Sequence, residues 1–302
     1  MKISIVTPNY NYGHFIEATL RSVLNQDYAD LEYIVLDDGS TDGSVDTIRR
    51  YADRLAHWET APNQGQYKTL TRGFAMSTGE VLGWLNSDDM HLPWTLHAVA
   101  DIFTRFPDVQ WISTLQLGHW DWAGYCLGFS PCQGYSREAF LDGRYLSPEA
   151  DDPRGVPPAN REYIQQESTF WRRSLWEKAG GCVSHEFGSA GDFELWARFY
   201  RHAELIGVDI PLAGFRHQRA QQTSQMGRYA GYCMPAIEAF RAEAGWAPSL
   251  MRSVVHGAKA LPIPQPPTAP GLRAFGYEGR RIARRAPDSP DAHWEIESYQ
   301  FL

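Results

Sequence analysis

The chain has 302 residues, of which 43% are hydrophobic and 21% are charged, so it is long enough for one large globular domain or for one domain with an appendage. Its formal net charge of −8 argues against general binding to DNA or RNA, because nucleic-acid phosphates require a basic surface. Its four cysteines lack the short paired spacing of a zinc site and are too few for a disulfide framework, which indicates a reducing compartment.

Strand-like and helix-like segments alternate over the first hundred residues. Short apolar runs indicate buried strands, and apolar residues at a helical period, such as Ile16, Leu20 and Val23, indicate the helices between them. This repeated order predicts an α/β fold with a doubly wound, mostly parallel sheet. The expected strands are Lys2–Thr7, Leu31–Leu36, His57–Thr60 and Val81–Leu85, and the expected helices are Phe15–Gln26, a segment from Ser40 or Thr41 through Tyr51, and Gln66–Met76.

The pattern loosens after residue 93. Residues 118–158 are rich in Gly, Pro and aromatics without clear periodicity, and a loop of that length is usually functional or mobile. Such a loop could form a lid that orders when a ligand binds, which the sequence leaves open. Regular segments flank it on both sides. They are a helix at Trp94–Phe106, a strand at Val109–Leu115, a strand at Gln166–Arg172, helices at Arg173–Ala179 and Phe193–Arg201, and a last core strand within Ala203–Pro211.

Two acidic clusters each follow an expected strand directly. Asp37 and Asp38 come after the second strand, and Asp88 and Asp89 come after the fourth. Because ligands of open α/β sheets bind at the carboxyl ends of the strands, these acids should share one edge. Two adjacent acids after a buried strand are unfavourable unless a cation or several donors neutralise them. Oxygen ligands of this kind suit Mg²⁺ or Mn²⁺, which also bind substrate phosphates.

Common phosphate-binding loops are absent from the sequence. It has no Gly-x-x-x-x-Gly-Lys-Ser segment and no Gly-x-Gly-x-x-Gly turn after the first strand. A diphosphate would then be held through the metal, which favours sugar-nucleotide chemistry over ATP hydrolysis or hydride transfer. Helix capping is the other interpretation of Asp38, which precedes Gly39-Ser40-Thr41-Asp42.

Several motifs in this order resemble glycosyltransferase family 2, which has the GT-A fold. The resemblance covers about residues 1–220 and implies an inverting nucleotide-sugar glycosyltransferase. The motifs are Thr7-Pro8-Asn9-Tyr10-Asn11, Asp37-Asp38-Gly39-Ser40-Thr41-Asp42, Asn63-Gln64-Gly65, Gly79-Glu80, Asn86-Ser87-Asp88-Asp89, Phe170-Trp171-Arg172-Arg173-Ser174-Leu175-Trp176 and Gly191-Asp192-Phe193-Glu194-Leu195-Trp196.

The resemblance implies a nucleotide site at the first two strand ends. Tyr10 would lie against the nucleotide base, and Asp38 would hydrogen-bond that base. Pro8 and Gln66 complete the expected nucleotide-binding set, and Asn86 would contact the sugar or the ribose. A UDP-sugar is the expected donor.

A metal site is implied at the second acidic cluster. Asp88 would lie near the ribose and the metal, Asp89 would bind the Mn²⁺ or Mg²⁺ directly, and His217 resembles a C-terminal metal-binding histidine. A hydrogen-bonded structural histidine is the alternative for His217.

Asp192 is the candidate catalytic base, because it matches the aspartate of the family's Glu-Asp motif, although Gly191 stands where the family has its glutamate. A carboxylate near the acceptor hydroxyl can take its proton as that oxygen attacks the anomeric carbon, and one such displacement inverts the centre. Glu194 is the rival base, and helix capping is the alternative role of Asp192. Glu167, Trp171 and Glu194 are also expected to contact the donor or acceptor sugar, and flat rings suit the apolar faces of sugars.

The expected organisation is a transferase domain at 1–220, with a nucleotide-binding half at 1–115 and an acceptor-binding half at 116–220. A helical extension at 221–260 and a Pro-rich linker with a basic tail at 261–302 would follow. The tail's arginines, interleaved with apolar residues, are either a solvated face or a contact with anionic lipid near a lipid-linked saccharide acceptor. Without an apolar run of roughly 20 residues or a signal-peptide pattern, we expect a cytoplasmic protein, with peripheral contact at the inner membrane face as an option.

Two other function classes remain open at this point. One is a sugar-nucleotide-binding protein with weak catalysis. The presence of acids at 88, 89 and 192 argues against this class. The other is a nucleotidyltransferase, which normally carries a glycine-rich loop with basic residues after the first strand. Pro8-Asn9-Tyr10-Asn11 is not such a loop.

Overall fold

The computed structural model describes residues 1–218, 226–259 and 276–302. The strands are β1 (Ile3–Asn9), β2 (Leu31–Asp37), β3 (His57–Thr60), β4 (Val81–Trp84), β5 (Met90–His91), β6 (Trp111–Thr114), β7 (Gln116–Trp120), β8 (Cys126–Pro131), β9 (Phe170–Arg172), β10 (Leu205–Val208), β11 (Ala213–Arg216), β12 (Tyr277–Arg285) and β13 (His293–Phe301). The helices are α1 (Ile16–Leu24), α2 (Ser44–Arg49), α3 (Gln66–Met76), α4 (Thr95–Arg105), α5 (Arg137–Leu141), α6 (Arg173–Lys178), α7 (Gly191–Phe199), α8 (Met226–Ala244) and α9 (Leu250–Lys259).

A nine-stranded sheet organises the chain, in the order β13-β12-β10-β6-β9-β4-β1-β2-β3. Strands β3, β2, β1 and β4 run parallel, as do β6, β10 and β12, whereas β9 lies antiparallel between β4 and β6. The prediction of a mostly parallel α/β sheet with flanking helices is therefore confirmed. The strand expected at Gln166–Arg172 is shorter in the structure, since Gln166–Ser168 form a 3-10 turn. The sequence pattern also did not predict that this strand runs antiparallel to its neighbours.

Both faces of the sheet are covered, which explains why β1 is buried at every position. Successive residues of a strand point to opposite faces, so Ile5 packs in one cluster with α1 and α4 and Val6 packs in the other with α3, α7 and α8. Helix α1 buries Ile16, Leu20 and Val23, which recur at the helical period on one side.

A second sheet has the order β5-β11-β7-β8; its strand β5 follows the acidic turn after β4, and Arg216 of β11 donates its backbone N–H to Asp89. It uses part of the segment 118–158, which also contains α5, so the expectation of an aperiodic loop there is wrong. Gly118 allows β7 to approach β11 closely, because a Cβ at that position would lie 2.4 Å from the Ala213 carbonyl oxygen. Strands β7 and β8 have no recognisable strand period in the sequence, because pairing with neighbouring strands determines their conformation.

The C-terminal residues 277–301 form a hairpin that joins the main sheet, since β12 pairs with β10 and β13 pairs with β12. The strand within Ala203–Pro211 is therefore not the last of the core. The hairpin also neutralises part of the expected basic tail, because Arg281 pairs with Glu297 at 2.6 Å and Arg285 pairs with Glu295 at 2.9 Å. The expected Pro-rich linker, which begins the segment 261–302, lies outside the described residues. The expected domain boundaries near 220 and 260 also fall outside them, so both stay predictions. Across the described ranges, no helix is both long and apolar enough to cross a bilayer.

Helix α8 is tied to the segment after α5 by a buried ion pair. Arg241 donates to Asp152 at 2.6 Å and to the Leu141 carbonyl oxygen at 2.7 Å, and its guanidinium lies 4.0 Å from the centre of the Trp246 ring. Arg241→Ala would leave the Asp152 carboxylate buried without its cation, so we expect it to lower the free energy of unfolding by about 3–5 kcal/mol, measured by urea denaturation.

Arg154→Ala is the matched control, because Arg154 also pairs with Glu238 but is exposed. A solvated pair contributes little, so this variant should unfold like the wild type. Equal losses in both variants would contradict a specific role for the buried pair.

Candidate active site

The ends of β1, β2 and β4 meet at one edge of the main sheet, as the acidic clusters predict. Asn9 and Asp37 are paired in register at the ends of β1 and β2. The Asp38 amide donates to the Asn9 carbonyl oxygen at 2.8 Å, and the Ser87 hydroxyl donates to the Pro8 carbonyl oxygen at 2.6 Å. Pro8, which was expected at the nucleotide, thus accepts a hydrogen bond from the turn that carries the second acidic cluster.

The two adjacent acids of the first cluster have different environments. Asp37 accepts hydrogen bonds from Asn9, Ser40 and Thr60, and these donors hold the pKa of its carboxyl below the usual value despite burial. Asp38 is buried, which raises the pKa of its carboxyl, and it accepts from the Thr69 hydroxyl of α3 at 2.6 Å. Asp37 therefore stabilises the turn, whereas Asp38 faces α3.

Tyr10 presents its ring at this edge. Its side chain is 47% exposed, unlike the neighbouring strand residues, which are buried. An exposed aromatic beside a buried polar turn is available to stack on a planar ligand.

Both acids of the second cluster are buried, with Asp88 7% and Asp89 1% exposed. Asp89 Oδ1 accepts from the backbone N–H of Arg216 at 2.9 Å, and Asp88 Oδ2 accepts from Gln218 Nε2 at 2.8 Å. Burial, followed by repulsion from Asp88 and Glu167, raises the pKa of Asp89 well above its usual value. The cluster is thus costly to keep charged, as expected of a site that receives a cation.

Arg216 fixes the loop that carries these acids. Its guanidinium donates to the Asp88 carbonyl oxygen at 2.5 Å and to the Trp122 carbonyl oxygen at 3.0 Å, and it lies 5.1 Å from the centre of the Phe15 ring. These contacts join β11, the β7–β8 connection and α1 around the second cluster.

Asn86 is the centre of an amide network. Its Oδ1 accepts from Gln66 Nε2 at 2.8 Å and from Trp84 Nε1 at 3.1 Å, and its Nδ2 donates to Gln166 at 3.1 Å and to Asp89 at 3.4 Å. The network places Gln66, the first residue of α3, beside the second acidic cluster, so the structure brings these predicted residues together.

Glu167 connects the second cluster with Asp192 electrostatically. Burial, together with the charges of Asp88 and Asp192, raises the pKa of Glu167 to about 8. Burial also raises the pKa of Asp192 to about 6. Because these effects require proximity, Asp88, Asp89, Glu167 and Asp192 belong to one site.

Asp192 and Glu194 both lie in the first turn of α7, but their surroundings separate them. Glu194 forms two hydrogen bonds of 2.8 Å with Arg198, whose guanidinium also donates to the Cys182 carbonyl oxygen. The Glu194 carboxylate is therefore occupied by a structural cation, and its roles as rival base and as a sugar contact stay predictions. The helix begins at Gly191 after Ala190, so Asp192 is a first-turn residue rather than the N-cap.

Trp171 was expected to contact a sugar, but the structure places it in the core. Its side chain is fully buried on β9 and packs against Phe74, Trp176 and Trp196. The apolar residues on both sides of β9 enclose the ring, so its face is not available to a ligand.

His217 is exposed and lies next to Gln218, but its ring contacts another histidine. His217 Nε2 is 3.2 Å from His119 Nδ1, and His119 Nε2 is 3.0 Å from Ser130 Oγ. The role of His217 as a metal ligand stays a prediction.

The residues present fit a divalent metal shared with a substrate. Across residues 1–218, 226–259 and 276–302, no group of three or more His, Cys, Asp or Glu side chains is arranged to hold an ion alone. Mg²⁺ and its analogues are commonly bound by one or two carboxylates together with substrate phosphates. Glu167 Oε1 is buried without a hydrogen-bond partner among the described residues, which leaves acceptor capacity in the site.

Sequence reasoning missed several residues of the site. Tyr12, near Asp88 and Gln218, is in the first turn, and its position two residues after Tyr10 was the only signal. Tyr229, on α8, is 37 residues from Asp192 in sequence, and no motif connects the two.

The mostly parallel sheet with acids collected at the ends of β2 and β4 defines the chain as an α/β protein of the GT-A fold. Residues 4–121 match the family model described as glycosyl transferase family 2. An uncharacterised glycosyltransferase of Nostoc sp. is 39% identical over 107 residues, which cover 34% of this chain and 33% of the relative. The match thus spans only about a third of that relative's length.

Solved structures share the fold at low identity. S. aureus TarS 1–349 in complex with UDP-GlcNAc is 18% identical with a TM-score of 0.57, and the match covers 74% of this chain and 61% of TarS 1–349. Mannosyltransferase PcManGT from Pyrobaculum calidifontis, in complex with GDP-Man and Mn²⁺, is 17% identical with a TM-score of 0.50, and the match covers 86% and 79% of the two chains.

Proposed function

We propose that the protein is an inverting glycosyltransferase that moves a sugar from a nucleotide diphosphate, by default UDP, to a hydroxyl of a glycan or lipid-linked saccharide. The observation that carries the proposal is the placement of Glu167, whose neighbour Gln166 is joined to Asp89 through Asn86 and whose carboxyl interacts with the charges of Asp88 and Asp192. It joins an acidic cluster suited to a metal–diphosphate complex and a single separate carboxylate in one buried site. The match of residues 4–121 to the glycosyl transferase family 2 model supports the same chemistry.

In this proposal Asp88 and Asp89 hold a Mn²⁺ or Mg²⁺ ion, which when bound offsets the negative charge of the leaving diphosphate. Asn86, fixed by Gln66 and Gln166, orients the donor beside this cluster. Asp88 and Asp89 are buried, and the low dielectric there strengthens their polar contacts.

Asp192 takes the proton of the acceptor hydroxyl in the same proposal. Its pKa of about 6 leaves it ionised near neutral pH and still basic enough to accept a proton, which suits a general base. Glu167, with a pKa of about 8, is mainly protonated near neutral pH and can donate a hydrogen bond in the acceptor cleft.

A screen of nucleotides and donors tests the proposal. Thermal unfolding with UDP, GDP, ADP and dTDP, each with and without Mn²⁺, identifies the nucleotide, and release of UDP from UDP-sugars tests turnover. We expect metal-dependent stabilisation by one nucleotide and slow donor hydrolysis. Binding without hydrolysis would instead support a sugar-nucleotide-binding protein, and pyrophosphate release from a nucleoside triphosphate and a sugar phosphate would support a nucleotidyltransferase.

Tyr10→Ala is expected to weaken nucleotide binding, because the exposed ring would stack on the base. Stacking of an aromatic side chain on one base is worth about 1–3 kcal/mol, so UDP affinity measured by calorimetry should fall by roughly 5- to 150-fold. Met76→Ala is the control, since Met76 is 41% exposed but ends α3, ten residues after Gln66, which begins it. Equal affinity in Tyr10→Ala and the wild type would remove Tyr10 from the nucleotide site.

A further inference from the structure

Two tyrosines from different helices lie beside Asp192, which is partly exposed. The Tyr229 hydroxyl of α8 donates to Asp192 Oδ1 at 3.4 Å. Tyr67 of α3 donates to the Ser189 carbonyl oxygen at 2.7 Å, and its ring covers Gly191 so closely that a Cβ there would lie 2.7 Å from Tyr67 Cε2. The Tyr67 ring therefore fixes the turn before α7, and the Tyr229 hydroxyl meets the carboxylate itself.

We propose that Tyr229 is a positioning residue, whose hydroxyl orients the Asp192 carboxylate toward the acceptor and favours its ionised form. The inference rests on the proposed function, in which Asp192 is the base. It assigns to α8, which lies outside the matched residues 4–121, a direct part in the site.

The surroundings of Asp192 make this hydrogen bond important. The titratable groups that face it are Tyr67 from α3, Tyr229 and Cys233 from α8, and Glu167 from the turn before β9. Each of these is neutral when protonated, and burial raises the pKa of all four. A carboxylate in such a place depends on hydrogen-bond donors to stay ionised.

Tyr229 remains a donor throughout the working range of pH. Burial, followed by the charge of Asp192, raises the pKa of its phenol well above the usual value. The other donors to Asp192 are backbone N–H groups of its own helix turn, which a side-chain substitution does not remove. Tyr229→Phe therefore removes one hydrogen bond and leaves the ring packing in place.

The test compares pH profiles of UDP-sugar hydrolysis for the wild type, Tyr229→Phe and Tyr232→Phe. Tyr232 is the matched control, because it lies on the same helix but its hydroxyl is directed to Arg228. We expect the acid limb of kcat to move to higher pH in Tyr229→Phe, with recovery of kcat above pH 8 and no change in KM. The control should keep the wild-type profile. A loss of equal size at every pH, or an unchanged profile, would overturn the proposal.

A second measurement does not depend on turnover. The native state keeps the Asp192 proton up to a pH of about 6, whereas an unfolded carboxyl releases it near 4, so this group makes the free energy of unfolding fall as pH rises between these values. Asp192→Asn should lack this fall, and Tyr229→Phe should extend it to higher pH. An identical pH dependence in Tyr229→Phe and the wild type would refute the positioning role. Absence of donor hydrolysis in the wild type with the extended fall present would refute the proposed function instead.

Discussion

Asp192→Asn is expected to lower donor turnover by about 10²- to 10⁴-fold, because an amide cannot accept the proton of the attacking hydroxyl. UDP affinity should remain at the wild-type value, since the nucleotide contacts lie at the ends of β1, β2 and β4. Release of UDP from a UDP-sugar and calorimetric titration with UDP measure the two quantities separately. Equal loss of both would indicate that Asp192 supports the structure rather than the chemistry.

The same role of Asp192 predicts the direction in which the turnover rate changes with pH. Burial raises the pKa of Asp192 to about 6, so the base is protonated below that pH and ionised above it. The wild-type rate should therefore rise with pH through about 6 and level off, and the residual rate of Asp192→Asn should not show this rise.

Glu194→Gln is the matched control for Asp192→Asn. It also neutralises a first-turn carboxylate of α7, but that carboxylate is bound to Arg198. We expect lower stability with retained turnover per folded molecule. A loss of turnover as large as that of Asp192→Asn would restore Glu194 as the base.

Asp89→Asn is expected to abolish the stabilisation that Mn²⁺ and UDP give together. For the wild type, a ligand at 100 times its Kd adds about 2.7 kcal/mol to the free energy of unfolding. Without ligand the variant should be at least as stable as the wild type, because burial and the neighbouring acids disfavour the charged form of Asp89. Thermal unfolding with and without Mn²⁺–UDP measures both effects.

Asp37→Asn is the comparison for Asp89→Asn, because it should lower the stability of the ligand-free protein. Donors from Asn9, Ser40 and Thr60 hold the pKa of Asp37 low, so its charged form stabilises the fold, and this contribution is present above the usual carboxyl pKa and lost as pH falls. Its substitution should cost about 1.5–3 kcal/mol without ligand. A ligand-free Asp89→Asn protein that is destabilised as much as Asp37→Asn would contradict the assignment of Asp89 to a cation site.

Local sequence patterns were sufficient for the sheet edge. Strands β1 to β4 lie in the part where strands and helices alternate regularly, and strands that run parallel bring their carboxyl ends together without further information. This is why Asp38, Asn86 and the pair at 88 and 89 could be placed on one edge from the sequence.

The remaining parts depend on contacts between distant residues. The burial of Trp171 follows from the position of β9 between two strands of the core, and the ion pair of Glu194 follows from the orientation of Arg198 toward the turn after α6. The C-terminal hairpin joins the sheet through β10, about 70 residues earlier in the chain. The sequence near each of these elements does not identify its partner.

Calorimetric titration of UDP into the wild-type protein, once with Mn²⁺ and once with a chelator, tests most directly whether the acids at 88 and 89 hold the donor through a metal. We predict binding with Mn²⁺ and its loss with the chelator. Equal affinity in both titrations would contradict the account.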